Sequence, residues 1–232
     1  MTLQECLDRL GSVELSNLGI VDNNLKIKVI NLPKVLNCIQ SALTHLYTTF
    51  FLKESSIFID LIDGKVEYEL LSKHNVPDNL KADYDHYIFK NCNEKFNDDI
   101  IKITNVYLNS GRELTINDAS DPESIFIPQY NLIQIPFELP CMELAISYQA
   151  NHPKISKDNL TMELEIPTSF ELAFLIYTTY LIASAINSEI AINYAQQCLN
   201  RYSLVTTELL KASANDFADS NENIKFKING WC

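Results

Sequence analysis

The most apolar part of this chain runs from Ile166 to Glu189, with the sequence IPTSFELAFLIYTTYLIASAINSE. Between Phe170 and Ile186 its only charged residue is Glu171. A membrane-spanning helix needs about 20 predominantly apolar residues, with aromatic anchors at its ends and basic residues beside them. Here hydroxyl side chains interrupt the stretch, the tyrosines fall in its middle, and basic flanks are missing. We therefore predict a helix that is buried by protein and does not cross a membrane.

Composition excludes several classes of function. The chain has 232 residues, of which 18 are basic and 30 acidic, so its net charge is −12. Affinity for DNA comes mainly from basic residues that neutralise phosphates, so we do not expect this chain to bind nucleic acid tightly. If the chain lies near DNA, we expect a lining that repels phosphate and lets the duplex slide without specific binding. The chain has only 5 glycines and lacks the glycine-rich phosphate-binding motifs.

Cysteine usage and the N-terminal residues predict a reducing compartment and no secretory signal. The 6 cysteines are irregularly spaced and include no C-x-x-C pair. This spacing fits neither a zinc site nor a disulfide framework, and it favours a reducing compartment. The first residues carry charges throughout and lack the apolar core of a secretory signal.

Helical periodicity occurs at both ends of the sequence. Thr2 and Glu5 form a capping-box pattern that opens a short helix, which we expect to end at Gly11. Leu32-Pro33 opens a long amphipathic helix through KVLNCIQSALTHLYTTFF. Asn187-Ser188-Glu189 separates the apolar helix from a second one. The expected buried stripe of that second helix is Ile190, Tyr194, Cys198, Tyr202, Val205 and Leu209.

The middle of the chain has the period of β-strands. SIFIDLIDGKVEYELL contains two β-rich runs joined by Asp63-Gly64, which predicts a hairpin. DIIKITNVYLNSGRELTI, NLIQIPFEL and MELAISYQA predict further strands. The polar segment between Ser72 and Asn97 is expected to be irregular.

The predicted fold class is therefore α+β. Helices from the two ends of the chain, residues 1–55 and 166–215, are expected to form a bundle. An antiparallel β-rich insert occupies residues 56–165 and an extended tail occupies residues 216–232.

Titratable residues form no recognisable catalytic or metal site. The DYDHY segment brings Asp83, Asp85 and His86 together, but the spacing matches no known metal-ligand pattern. Adjacent acidic residues such as Asp98-Asp99 point to opposite faces of a strand and do not converge on one substrate. We therefore predict a protein that is not an enzyme and that binds neither a cofactor nor a metal.

The last residues alternate between apolar and polar side chains and include the only tryptophan, Trp231, just before the final Cys232. Ile224, Phe226 and Ile228 alternate before Gly230. The segment can pack back on its own domain. Alternatively, it can add a strand to a partner protein and place the tryptophan in a pocket there.

Several segments occur in an order that is familiar from one family. They are TLQECLDRLGSVELSNLGIVD, LPKVLNCIQSALTHLYTTFFLKE, VEYEL, DDIIKITNVYLNSGRELTIND, IFIPQYNLIQIP, IPTSFELAFLIYTTYLIASAIN and the terminal NGWC. In this order, over nearly the whole chain, the sequence resembles the head-to-tail connector adaptors of short-tailed bacteriophages. The polar segment Ser72–Asn97 has no counterpart in that pattern.

The resemblance implies a virion protein that acts at the head-to-tail interface. A ring of about twelve copies would lie beneath the portal protein, extend the DNA channel and dock the tail nozzle or tube proteins. Phe170, Phe174, Tyr177 and Leu181 would then pack in the helical core or between subunits. The portal-binding residues would be Ile224, Phe226, Ile228, Gly230 and Trp231. The alternatives are another connector or tail component, such as a stopper, a tube protein or an assembly factor, and a small cytoplasmic enzyme with dispersed site residues.

Overall fold

The α+β class is confirmed. The computed structural model describes residues 1–77, 81–90, 95–137, 139 and 142–228, with residues 212–228 as backbone only. These residues form four α-helices and two antiparallel sheets. The chain divides into two compact units: a helical unit, Met1–Leu46 with Lys154–Cys232, and a β unit, Tyr47–Pro153.

The four α-helices begin close to the positions that the sequence indicates. They are α1 (Leu3–Arg9), α2 (Leu32–Thr49), α3 (Glu171–Ser184) and α4 (Glu189–Ile228). The capping box of α1 is confirmed, since the Glu5 amide donates to Thr2 Oγ1 at 3.2 Å and the Thr2 amide donates to the Glu5 carboxylate at 2.8 Å. The break before α4 is confirmed as well, and the Ala191 amide donates to the hydroxyl of Ser188 at 3.2 Å.

The expected end of the first helix at Gly11 is wrong. A π-helical turn, Leu10–Glu14, continues α1 through this glycine. Gly11 is buried, and a Cβ atom there would lie 2.4 Å from the Leu25 carbonyl oxygen. The glycine therefore serves the close approach of two backbone segments and not a helix end.

Burial of α3 within its unit explains its apolar sequence. Phe174, Ile176 and Ile182 are buried, and so are Thr178 and Thr179. Each threonine hydroxyl donates to the carbonyl four residues earlier at 2.8 Å, so neither buries an unpaired donor. The helix has 14 residues, fewer than a bilayer requires. Within the described ranges, the structure contains no helix both long and apolar enough to span a membrane.

The expected extended tail from residue 216 does not match the backbone that the structure describes. Helix α4 continues to Ile228, and residues 229–232 lie outside the described residues. Alternating apolar residues favour a strand, but an extended segment needs a neighbouring strand for its hydrogen bonds. A helix supplies these bonds within the segment and propagates from residues already helical.

The β unit contains both sheets. The strands are β1 (Glu54–Asp60), β2 (Glu67–Glu69), β3 (Ile88–Phe89), β4 (Ile100–Leu108), β5 (Phe126–Gln129), β6 (Leu132–Gln134) and β7 (Glu143–Ala150). The first sheet has the order β3-β1-β7-β4 and the second has the order β2-β6-β5. Strand β7 lies in the centre of its sheet and pairs antiparallel with β1 and β4. Buried residues of both sheets, such as Ile57, Tyr68, Val106 and Ile146, form one hydrophobic cluster.

The predicted hairpin at Asp63-Gly64 is wrong, because β1 and β2 belong to different sheets. The turn itself exists, since the Lys65 amide donates to the Ile62 carbonyl at 3.0 Å. Gly64 has a φ of 74°, but Asp63 is not among the residues with positive φ. A type I′ turn needs positive φ at both central residues to keep the following strand in register. This turn therefore separates the strands.

Candidate functional site

The residues predicted to pack within α3 occupy different environments. Phe174 is buried, and Tyr177 and Leu181 are partly buried. Phe170 is also partly buried and lies in the 3-10 turn Thr168–Phe170, just before the helix. The helix therefore has both buried and partly buried positions. Packing within one chain does not cover it fully.

An aromatic cluster joins three helices of the helical unit. The His45 ring of α2 stacks on the Tyr177 ring of α3, with centroids 4.2 Å apart and planes 18° apart. Tyr202 of α4 lies 4.8 Å from Tyr177 and 5.8 Å from His45, between ring centroids. Burial lowers the pKa of His45, because a charged imidazolium would lose hydration there. The Tyr202 hydroxyl is buried and has no hydrogen-bond partner in the described part of the chain.

The expected stripe of α4 is correct at Cys198 and Tyr202 but wrong at its start. Ala191 and Ala195 are buried together with Cys198, whereas Ile190 is 76% exposed. Ala191 and Ala195 are small enough for α4 to pack closely against α3. Ile190 lies on the exposed side of the same helix. The spacing of apolar residues therefore predicted an amphipathic helix. The large size of Ile190, however, does not place this residue on the buried face.

The exposed isoleucine lies in a groove of about 390 Å³ between the N-terminal segment and α4. This helix groove is lined by Val13, Glu14, Asn17, Leu18, Ile190, Asn193, Tyr194 and Gln197. Val13 is 68% exposed, so aliphatic side chains on both walls face the opening. Amide side chains supply half of the remaining lining residues, and Glu14 adds a carboxylate. The surface suits an apolar side chain with a few hydrogen-bonding groups around it.

A hydrogen-bonded carboxylate fixes the helix groove. The Tyr194 hydroxyl donates to Glu14 Oε2 at 3.0 Å, and the Arg201 guanidinium lies 3.5 Å from the same oxygen. Burial, followed by the neighbouring Glu14 charge, raises the pKa of Tyr194. These contacts hold the N-terminal wall against α4. The groove is therefore a formed feature of the unit.

A second exposed apolar feature precedes α2. Val29 and Ile30 lie in a 3-10 turn, Val29–Asn31, and are 86% and 85% exposed. We call this pair the aliphatic knob. Neither the knob nor the helix groove was predicted from the sequence. Two adjacent aliphatic residues outside any buried stripe are the signal that could have revealed the knob.

The β unit has a cavity of about 420 Å³ organised around a cation. Lys65 Nζ lies 4.1 Å from the centroid of Tyr87 and 4.3 Å from that of Tyr84, and it donates to the Tyr84 carbonyl at 2.6 Å. Burial lowers the pKa of Lys65, against the opposing effect of nearby carboxylates. The arrangement holds the turn after β1 against the segment before β3 through cation–π contacts.

His74 and the acidic residues of the DYDHY segment stabilise loops of the β unit. His74 stacks on Tyr87 with centroids 4.8 Å apart, and its Nδ1 lies 2.6 Å from the Asp85 carbonyl oxygen. Asp83 accepts hydrogen bonds from the amides of Asp85 and His86. These amides lower the pKa of Asp83. Among the described residues, no group of three or more His, Cys, Asp or Glu could hold a metal ion.

The predicted portal-binding residues lie at the end of the chain. Ile224, Phe226 and Ile228 belong to α4 by their backbone. Gly230 and Trp231 lie outside the described residues. Their proposed role therefore stays a prediction.

No family model matches the chain, and no curated protein sequence gives a significant match.

Proposed function

We propose that this chain is a structural protein of a bacteriophage virion, an adaptor that joins the portal to the tail. A ring of about twelve copies would surround and extend the DNA channel at the head-to-tail interface. The protein would be made in the host cytoplasm and would act without catalysis. The order of the sequence segments that resemble connector adaptors is the first support for this proposal.

The observation that carries the proposal is the uncovered aliphatic surface of the helical unit. Val29 and Ile30 are adjacent and exposed, and Val13 and Ile190 face out of the helix groove. Single exposed apolar residues are ordinary, but apolar residues grouped on a surface mark contacts with other proteins. A subunit of an assembly has neighbours that can cover such residues.

Charge supports the proposed position around DNA. The chain carries a net charge of −12, which a ring multiplies by its number of copies. A negative lining repels phosphate and lets the duplex slide. Phage DNA is therefore proposed to pass through the ring without specific binding.

The proposal assigns a role to each part of the chain. The helices form a bundle in which Phe170, Phe174, Tyr177 and Leu181 pack within and between subunits. The C-terminal residues bind the portal protein, with Trp231 as the anchor. The β unit docks the tail nozzle or tube proteins.

The ring is tested by native mass spectrometry and negative-stain imaging of the purified chain, alone and with its portal protein. Twelvefold rings that bind the portal are the expected result. Sixfold rings would favour a stopper or tube protein instead. A chain that neither assembles nor binds the portal would contradict the proposal.

The portal-binding segment is tested by deletion of residues 223–232. We expect the shortened chain to keep its circular dichroism spectrum and its thermal transition but to lose attachment to the portal. Unchanged attachment would exclude the C-terminus as the portal-binding segment. An unfolded product would favour packing of this segment on its own domain.

A further inference from the structure

We infer that the aliphatic knob, Val29 and Ile30, of one copy inserts into the helix groove of the next copy. The partner is thus a second copy of this chain, and the contact is made by two different surfaces of it. The inference rests on the proposed function only for closure of the ring, because the contact itself needs no more than two copies.

Both surfaces are left uncovered by the chain that carries them. The two knob residues are the most exposed of the large hydrophobic residues in the described part of the chain. Val13 and Ile190, on opposite walls of the groove, are also mostly exposed. Each surface lies within the helical unit, and the two remain separate there. One contact between copies would remove both from water.

The groove has room for the knob and offers it apolar walls. The groove has a volume of about 390 Å³, which is larger than a valine and an isoleucine side chain together. Its walls offer aliphatic carbon for the knob to pack against. The side chains of Asn17 and Asn193 can form hydrogen bonds with the backbone groups beside the knob. These groups then keep hydrogen-bond partners when the contact excludes water.

Charge favours the same pairing. No acidic residue occurs between Asp22 and Glu54, and the knob directly follows Lys26 and Lys28. On the groove side, Glu189 is exposed and precedes Ile190. The exposed Lys26 and Lys28 beside the knob can thus meet the exposed Glu189 beside the groove. Such complementarity fixes orientation and raises the rate of encounter.

The knob is held in place before any partner arrives. Asp22 Oδ1 accepts hydrogen bonds from the amides of Asn24 and Lys26, each at 2.9 Å. The Lys28 amide donates to the Ile20 carbonyl at 3.0 Å, and the Asn31 side chain donates to the same carbonyl at 3.2 Å. These bonds fix the turn before the knob and the residue after it. A surface that is already ordered loses little conformational entropy on binding.

A contact between two different surfaces propagates. Each copy that inserts its knob still has a free groove, so the assembly closes into a ring or continues as a filament. A symmetric dimer contact would stop at two copies. The knob and the groove therefore suit a ring subunit in particular.

The experiment uses the full-length chain with two exposed surfaces altered separately. The knob variant is Val29→Ser with Ile30→Ser, and the groove variant is Val13→Ser with Ile190→Ser. The matched control is Leu204→Ser, which changes an exposed α4 residue outside the groove lining. Circular dichroism verifies that each variant is folded. Sedimentation velocity and native mass spectrometry then measure assembly over a range of concentrations.

We expect the knob and groove variants each to weaken self-association by at least about tenfold, while the control assembles like the native chain. An equimolar mixture of the two variants should form 1:1 dimers and nothing larger, since only one intact knob and one intact groove can meet. Native-like assembly of either variant, or no dimer in the mixture, overturns the inference. A native chain that stays monomeric at every concentration also overturns it.

The outcomes separate this inference from the proposed function. Native rings that bind the portal, with assembly unaffected by either variant, would overturn the knob-and-groove contact and leave the adaptor role intact. Assembly that depends on both surfaces, in a chain that never binds the portal, would support the contact and contradict the adaptor role.

Discussion

The helical unit and the β unit differ in how their surfaces are built. By the sequence, the helical unit has 10 basic and 13 acidic residues, and the β unit has 8 and 17, which together give the 18 and 30 of the whole chain. The net charges are thus −3 and −9. Most of the acidity of the chain lies in the β unit.

The helix groove and the cavity of the β unit also differ in the side chains that line them. The helix groove presents Val13 and Ile190 among amide side chains, whereas the cavity of the β unit surrounds the charged Lys65 with tyrosine rings. The first exposes apolar surface that another protein can cover. The second satisfies its charge with residues of its own chain. The helical unit is therefore the part of the chain that we propose for contacts between copies, whereas the β unit surrounds the cation of Lys65 with its own tyrosine rings.

The largest expected effect tests the core of the helical unit. Phe174→Ala removes a fully buried ring from α3 and should lower the free energy of unfolding by about 3–5 kcal/mol. The control is Leu172→Ala on the same helix, where the side chain is 49% exposed, and its effect should stay within about 0.5 kcal/mol. Urea denaturation followed by circular dichroism measures both.

The same variant tests whether the two units have separate cores. The hydrophobic cluster of the β unit is formed by residues between Ile57 and Ala150. Hydrogen exchange of the β7 amides should therefore change less than that of the α3 amides in Phe174→Ala. Equal acceleration in both elements would show that the two units open together, and it would remove the basis for treating them as separate modules.

The starts of the helices could be predicted from the sequence because their signals are local. The capping box of Thr2 and Glu5 and the apolar length of α3 depend on neighbouring residues alone. The Asp63-Gly64 hairpin failed because dipeptide composition does not fix φ at Asp63, and strand pairing was decided by the distant β7. The helix end predicted at Gly11 was also wrong because of a residue distant in sequence. The glycine lies against the Leu25 carbonyl of the following loop.

Surface features were harder to predict than buried ones. Ile190 was assigned to the buried stripe of α4 because it is large and apolar, yet the smaller Ala191 is buried in its place. Helical phase decides this, and a shift of one residue rotates a side chain by about 100°. The helix groove depends on that rotation. The sequence therefore predicted the helix but not the site on it.

A smaller effect is expected at the cavity of the β unit. Lys65→Met removes the cation but keeps much of the side-chain length, and it should lower the free energy of unfolding by about 1–2 kcal/mol. Lys65→Arg, whose guanidinium also binds aromatic faces, should lose less. Thermal and urea denaturation compare the two variants. Equal losses would show that the tyrosines recognise the shape of the lysine and not its charge, and this would weaken the contrast between the units.

The smallest effect is a pH dependence that the aromatic cluster of the helical unit should produce. Burial lowers the pKa of His45 below its ordinary value of 6.5, so the folded chain binds a proton there less readily than the unfolded chain. Stability from this group is complete above about pH 6.5 and is lost as the pH falls through 6.5 towards the lower folded pKa. His45→Gln removes the titration. We therefore expect the stability difference between the native chain and this variant to narrow on acidification from pH 8 to about pH 5.

Urea denaturation at several pH values measures that difference, with Asn37→Gln on the exposed face of the same helix as the control. The control does not titrate, so its difference from the native chain should be independent of pH. A difference for His45→Gln that stays constant or widens on acidification would show that the imidazolium is accommodated between Tyr177 and Tyr202. The helical unit would then satisfy a charge with aromatic rings as the β unit does at Lys65, and the contrast would rest on the exposed aliphatic surfaces alone.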